Sequence, residues 1–266
     1  MRWTERQRRM LAAMGVRLFE PRRVMAHDDE GVDEPETVEA APRIDTAPPR
    51  ATAARRPGRI APSPPAAAVA PAGDVASMDW PALQAAVAGC RACGLCESRT
   101  QTVFGVGNAH AHLMIVGEAP GEQEDLQGEP FVGQAGKLLD NMLRAIGLTR
   151  AEAPPAQQVF IANTLKCRPP RNRNPEPSET ARCAPYLNRQ IELVQPRVVL
   201  AMGRFAAQAL LATDEPIGKL RSRVHQRRGA PVVVTYHPAY LLRTLADKAR
   251  AWDDLCLAAT LLEQAR

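Results

Sequence analysis

The sequence predicts an α/β fold, a four-stranded parallel sheet sandwiched by helices and preceded by a disordered N-terminal extension. Three observations predict it. Residues 113–116, 159–162, 198–202 and 232–236 are short runs apolar on both faces, as strands of a buried parallel sheet are. Helical patterns fill the intervals between them, giving the β-α-β alternation of a sheet covered on both sides. Residues 26–77 contain neither an aromatic residue nor a cysteine. They open acidic (Asp28, Asp29, Glu30, Asp33, Glu34, Glu36, Glu39) and continue rich in Ala, Pro and Arg. Such a stretch buries too little apolar surface to offset its ordering entropy and reads as a linker.

The elements follow in order. Residues 1–25 form an amphipathic segment with Met10, Leu11, Met14, Leu18 and Phe19 as its apolar side chains, ending in Arg22-Arg23. The folded domain is placed at 78–266. Between its first two strands a helix over 137–146 aligns Leu138, Leu139, Met142, Leu143 and Ile146, and Gly147 stops it. A second helix starts near Ser178 and buries Ala181, Leu187, Ile191 and Val194. A last one uses Trp252, Leu255, Ala259 and Leu262. Ligands of such sheets bind outside the C-terminal ends of the strands. No apolar run approaches membrane-spanning length, and the N-terminus lacks the apolar core and cleavage site of a secretory signal, so a cytoplasmic protein is expected. A net charge of +5 is compatible with a polyanionic partner without requiring one.

The first strand runs into Gly117-Glu118-Ala119-Pro120-Gly121-Glu122-Gln123-Glu124-Asp125 and then Gly128-Glu129-Pro130-Phe131-Val132-Gly133-Gln134-Ala135-Gly136. Glycines stand wherever backbone might approach a ligand, and the loop ends at a helix N-terminus, whose free N–H groups favour an anion. Neither a dinucleotide-binding nor a Walker pattern is present. Asn163, closing the second strand, offers an amide donor and acceptor to one edge of a base. The loop after it carries Arg168, Arg171 and Arg173, which alone would read as a solvated surface. The fourth strand leads into His237-Pro238-Ala239-Tyr240-Leu241-Leu242-Arg243, and a histidine there serves as acid, base or hydrogen-bond donor.

Six cysteines in a cytosolic chain point away from a disulfide framework and towards metal or cluster ligation. Cys90-Arg91-Ala92-Cys93 is a C-x₂-C pair, while Cys167 and Cys183 are spaced C-x₁₅-C. Four thiolates hold zinc or an iron–sulfur cluster. Zinc sites usually repeat a short spacing in both halves, and the second half here does not. Cys96 extends the first pair and could substitute as a ligand; Cys256 reads as an inert core thiol.

Together these segments resemble the family 4, iron–sulfur type, uracil-DNA glycosylases. The resemblance rests on Cys90-Arg91-Ala92-Cys93-Gly94-Leu95, Arg99-Thr100-Gln101-Thr102-Val103-Phe104-Gly105-Val106-Gly107, and the stretches 117–136, 163–174 and 237–243, in the family's order. It implies a [4Fe-4S] cluster on Cys90, Cys93, Cys167 and Cys183, with Cys96 outside the ligand set. It implies base excision repair of uracil-containing DNA, the base being flipped into a pocket. Phe131 would stack on the uracil, Asn163 would pair with O4 and N3–H, and Gly117 and Ala119 would line the pocket. His237, with backbone N–H groups near Gly117 and Ala119, would stabilise the charge left on the departing base. One of Glu118 and Glu124 would orient the attacking water or steady the sugar cation, and Glu124 could also exclude thymine's methyl group. Arg168, Arg171, Arg173 and Arg243 would hold phosphates, with Leu241 and Leu242 as wedges. No lysine lies in the two pocket motifs, so a monofunctional enzyme, acting as a monomer, is expected.

Residues 5–23 resemble the N-terminal peptide of the replicative clamp loader's psi subunit, which docks onto the chi subunit; the equal alternative is an unattached amphipathic helix. Two rival readings remain: a catalytically silent psi-like assembly subunit, which the presence of Glu118, Phe131, Asn163 and His237 opposes, and an iron–sulfur electron carrier, which would not need a base-sized pocket.

Overall fold

The computed structural model describes residues 74–265. The expectations for the amphipathic segment 1–25, and for nearly all of the linker 26–77, lie outside the described residues. Packing begins upstream of residue 78. Asp74 caps the short turn Val75–Ser77, and Val75 is buried against Leu83, Val87 and Tyr186.

Six strands form one sheet: β1 (Val106–Gly107), β2 (Leu113–Gly117), β3 (Phe160–Asn163), β4 (Val198–Met202), β5 (Val224–Arg227) and β6 (Ala230–Thr235), in the order β1-β3-β2-β4-β6-β5. The four central strands are the expected ones and run parallel. The expectation of four strands in all is corrected by the antiparallel edges β1 and β5. Neither is an apolar run: β1 has two residues, and β5 reads Val-His-Gln-Arg with alternating exposure, the mark of an edge rather than a buried strand.

Both faces of the parallel core are covered, and strand alternation divides them. Leu113, Ile115, Ile161, Leu200, Met202 and Val233 face the helices Gln134–Ala145 and Lys248–Gln264. Met114, Val116, Phe160, Ala162, Val199 and Val234 face the helices Pro177–Val194 and Arg204–Leu211. Leu138, Leu139, Met142 and Leu143 form the buried stripe of the first helix, as the periodicity indicates. In the Pro177–Val194 helix, Glu179, Tyr186, Leu187, Gln190, Ile191 and Val194 are buried, whereas Ala181, expected in the buried face, is exposed. In the last helix Ala258, not Ala259, completes the buried face with Trp252 and Leu255. The chain moves from β2 to β3 on one side and then to β4 and β6 on the other. That reversal opens a crevice at the C-terminal ends of the central strands.

Candidate active site and cysteine chamber

All four parallel strands deliver a residue to this crevice, a cleft of about 860 Å³. Gly117 ends β2 against Asn163 and Phe131 of the lining, Asn163 ends β3, Gly203 follows β4 and His237 lies two residues beyond the end of β6. Glu118, Ala119, Glu124 and Phe131 join them from the loop after β2.

Gly117 sets the width of the pocket floor. A methyl group there would lie 2.4 Å from Asn163 Oδ1 and 2.8 Å from the Phe131 ring, so any side chain would displace both. Asn163 is 2% exposed, and its strand position is secured from behind: Lys166 Nζ donates to the Asn163 carbonyl at 2.8 Å and to Gln190 Oε1 at 2.6 Å. Gln190 Nε2 then donates to the Phe104 carbonyl, so the chain of bonds ends satisfied. Phe131 has a left-handed backbone (φ 57°), costly for a bulky residue, and its ring is buried. The ring lies 5.3 Å from the His237 ring at an interplanar angle of 27°. A base between two rings needs about twice the 3.5 Å carbon contact distance, so a base on Phe131 meets His237 by its edge.

His237 caps the helix Pro238–Leu241, its Nδ1 accepting from the Ala239 N–H at 3.2 Å, which places the proton of the neutral ring on Nε2. Burial, reinforced by the Arg243 charge, pushes its pKa down to about 4. Burial raises Glu118 to about 7, against the opposing charge of Arg204. Glu124 is engaged with the loop itself: its two carboxylate oxygens accept from the N–H groups of Gly121 (3.1 Å) and Val132 (3.2 Å).

The expected DNA-contacting residues divide. Leu241 has no exposed surface and packs in the core with Trp252 and Leu255, whereas Leu242 is 43% exposed beside the cleft. A side chain as buried as Leu241 could enter a duplex only if the core opened. Arg173 is held bidentate by Glu179 (2.6 and 2.9 Å), and Arg168 donates to Asn172 Oδ1 at 2.8 Å. Arg171 and Arg243 are exposed. The structure adds Arg204, Phe205, Tyr236 and Tyr240 to the lining. Arg204 stacks on Phe205 at 4.4 Å. The rule that places ligands at strand ends also covers Gly203 and Arg204, but without a motif they give no separate signal.

A second chamber takes part of its lining from Leu165, Lys166 and Cys167, just after β3. Cys90, Cys93, Cys96, Cys167 and Cys183 line it together with Leu95, Arg99, Lys166 and Arg182. Arg99 donates to Cys167 Sγ at 2.9 Å and to the Cys90 carbonyl at 2.8 Å; the Lys166 N–H donates to Cys183 Sγ at 3.3 Å. Arg182 donates to the Ala92 carbonyl at 2.7 Å. Burial raises the thiols of Cys93, Cys167 and Cys183, the last to about 12. Cys167 feels charge on Cys93 and Cys90, and Cys183 feels Cys167 and Cys90, which links these four electrostatically. Cys96 lines the same chamber and acts on Cys93. Among the described residues no three His, Cys, Asp or Glu side chains converge closely enough to hold one metal ion. Cys256 is half-buried against the core.

The profile of the uracil DNA glycosylase superfamily matches residues 104–256, spanning β1 to the last helix. The type-4 uracil-DNA glycosylase of Archaeoglobus fulgidus is 45% identical over 161 residues, covering 58% of this chain and 78% of the relative. That of Thermotoga maritima is 42% identical over 163 residues (60% and 82%), and that of Pyrobaculum aerophilum 40% over 188 (68% and 93%). The matched stretch takes in the cleft together with Cys167 and Cys183, and the chain belongs to the uracil DNA glycosylase superfamily, as a type-4 uracil-DNA glycosylase.

Proposed function

We propose that this glycosylase hydrolyses the N-glycosidic bond of a uracil flipped out of DNA, with Gly117, Phe131, Asn163 and His237 forming the base pocket. The observation that carries this reading is the arrangement around Gly117, where the absence of a side chain lets the Asn163 amide and the Phe131 ring close in together at the wall of the cleft. The base stacks on Phe131. The Asn163 amide donates to O4 and accepts from N3–H; cytosine presents the opposite pair, leaving buried polar groups opposed. The neutral His237 donates its Nε2 proton towards O2, where charge gathers as the N1–C1′ bond lengthens, without itself having to lose a positive charge. Glu118, poised near neutrality, is the carboxylate for the attacking water or the sugar cation. Glu124 serves as a brace of the loop, its carboxylate already occupied by two backbone N–H groups. Leu242 is the wedge, and Arg171 and Arg243 meet phosphates. An oligonucleotide carrying one uracil, incubated with the protein and then heated in alkali, is expected to break at that position; an intact strand in both single- and double-stranded form would sink the reading.

The cysteine chamber fits a [4Fe-4S] cluster on Cys90, Cys93, Cys167 and Cys183. Thiolates sharing one zinc ion stand about 3.8 Å apart, as tetrahedral bonds of about 2.3 Å require. A cubane instead takes each thiolate on a different iron, which suits cysteines carried by three segments around one chamber. Arg99, Lys166 and Arg182 surround it, and both partners of the buried Lys166 ammonium are neutral, so an anionic thiolate set would balance its charge. When bound, the cluster supplies a rigid cross-link among the three cysteine-bearing segments. Among the described residues no helix is long and apolar enough to cross a membrane. A cytoplasmic enzyme, working as a monomer and tethered by residues 1–25 to the chi subunit, completes the proposal.

A further inference from the structure

The Phe131 platform rests on a backbone conformation that costs a non-glycine residue on the order of 1 kcal/mol or more, and such conformations persist only where their surroundings over-determine them. Here the peptide groups on both sides of the residue are captured by side chains. Downstream, the Val132 N–H donates to Glu124 Oε1 at 3.2 Å. Upstream, Arg150 Nη1 donates to the Pro130 carbonyl at 3.1 Å. Arg150 is anchored in turn: its Nε donates to Asp140 Oδ1 at 2.6 Å, and Asp140 belongs to the Gln134–Ala145 helix that begins just after the loop. Gln158 Nε2 donates to the Arg150 carbonyl at 3.2 Å, fixing the backbone from which the side chain projects. From below, the backbone of Gly136 closes on Phe131 so tightly that a methyl group there would lie 1.6 Å from the Phe131 carbonyl oxygen.

We infer that Arg150 is a positioning residue for uracil recognition, holding the Pro130 carbonyl so that Phe131 stands preformed as the stacking surface before any base arrives. It rests on the stacking role proposed for Phe131. Arg150 lies outside the residues that line the cleft, so its influence reaches the base only through the loop. Its planar fork is what the site uses: one arm bonds a helix carboxylate and another a loop carbonyl, a geometry lysine reproduces only in part.

The test uses the full-length protein with Arg150→Met, Arg150→Lys and Phe131→Ala. The readouts are kcat and KM on a uracil oligonucleotide, inhibition by free uracil, and binding of an oligonucleotide with a stable abasic-site analogue. For Arg150→Met, KM and the inhibition constant of free uracil are expected to rise about tenfold, the factor equivalent to about 1.4 kcal/mol. Binding to the abasic analogue, which presents no base to Phe131, is expected to stay unchanged. Arg150→Lys, which keeps the charge without the fork, should recover only part of the loss. Unchanged uracil inhibition in Arg150→Met overturns the inference, and so does a parallel loss of abasic-site binding, which would mark Arg150 as merely structural. Phe131→Ala separates the two ideas. If it leaves uracil inhibition intact, the stacking role itself is wrong; if it weakens inhibition while Arg150→Met does not, only the role of Arg150 fails.

Discussion

In the proposed pocket the discrimination falls to a single side chain, Asn163, whose surroundings are fixed. Its backbone is pinned by Lys166 and its amide oxygen lies over Gly117, so the group has little freedom to adapt to a wrong base. Asn163→Asp replaces the donor to O4 with an acceptor facing an acceptor, and is expected to slow uracil excision by about 1–3 kcal/mol of transition-state stabilisation, measured as kcat/KM. The titrating groups add a pH signature. With Glu118 near 7 and active as the carboxylate, excision rises with pH through about 7; with His237 near 4 and active as the neutral ring, no inflection from it appears above about pH 5. Arg204→Gln removes the charge that lowers Glu118 and should shift the acid limb upward. Linkage fixes the sign for stability. The folded pKa of Glu118 lies above its ordinary 4.5, so its favourable contribution is complete below 4.5 and lost as pH rises through 7. Thermal melts of Glu118→Gln should accordingly show a gain that grows from pH 5 to pH 8, and a gain constant with pH would contradict the burial of this carboxylate.

At the scale of elements, the cysteine chamber ties the segment after the Trp80–Ala88 helix to the loop behind β3 and to the Pro177–Val194 helix. Cys167→Ala is expected to lose iron, sulfide and solubility, whereas Cys96→Ala keeps all three; iron and sulfide analysis with a visible absorption spectrum checks both, and stoichiometric zinc without sulfide would replace the cluster by another site. The four central strands were legible in the sequence because burial on both faces forces continuous apolar runs, with 198–202 agreeing residue for residue. The edge strands were not, since exposure erases that signal. Gly117, Phe131, Asn163 and His237 were legible as candidates because each sits at a strand end or in the loop leaving one. The brace formed by Arg150 and Asp140 was not: an arginine ten residues from its carboxylate in sequence has no spacing that distinguishes it from a solvated charge. Nor could pattern alone separate Leu241 from Leu242, adjacent leucines on a one-turn helix and its end, one in the core and one in solvent.

For the whole molecule, the described fold starts at Asp74, and every residue of the cleft and the cysteine chamber lies beyond it. A chain shortened to begin at Asp74 is therefore expected to turn over a short uracil oligonucleotide at nearly the full-length rate. The same shortening should abolish capture of the chi subunit in a pull-down. Loss of turnover on the short substrate would mean that residues before Asp74 belong to the catalytic fold, and would remove the tether.

The two antiparallel edges of the sheet have a consequence for how copies of this protein behave towards one another. An exposed strand is a template on which another chain can add, the usual beginning of aggregation. Here β1 is only two residues long and is bent by the positive φ of Gly105 and Gly107. At the opposite edge, Arg227 folds back onto the Leu210 carbonyl and Asn188, and Arg228 onto Glu192. Neither border offers a straight, uncharged row of backbone groups, so crowding on a substrate would not join these sheets edge to edge.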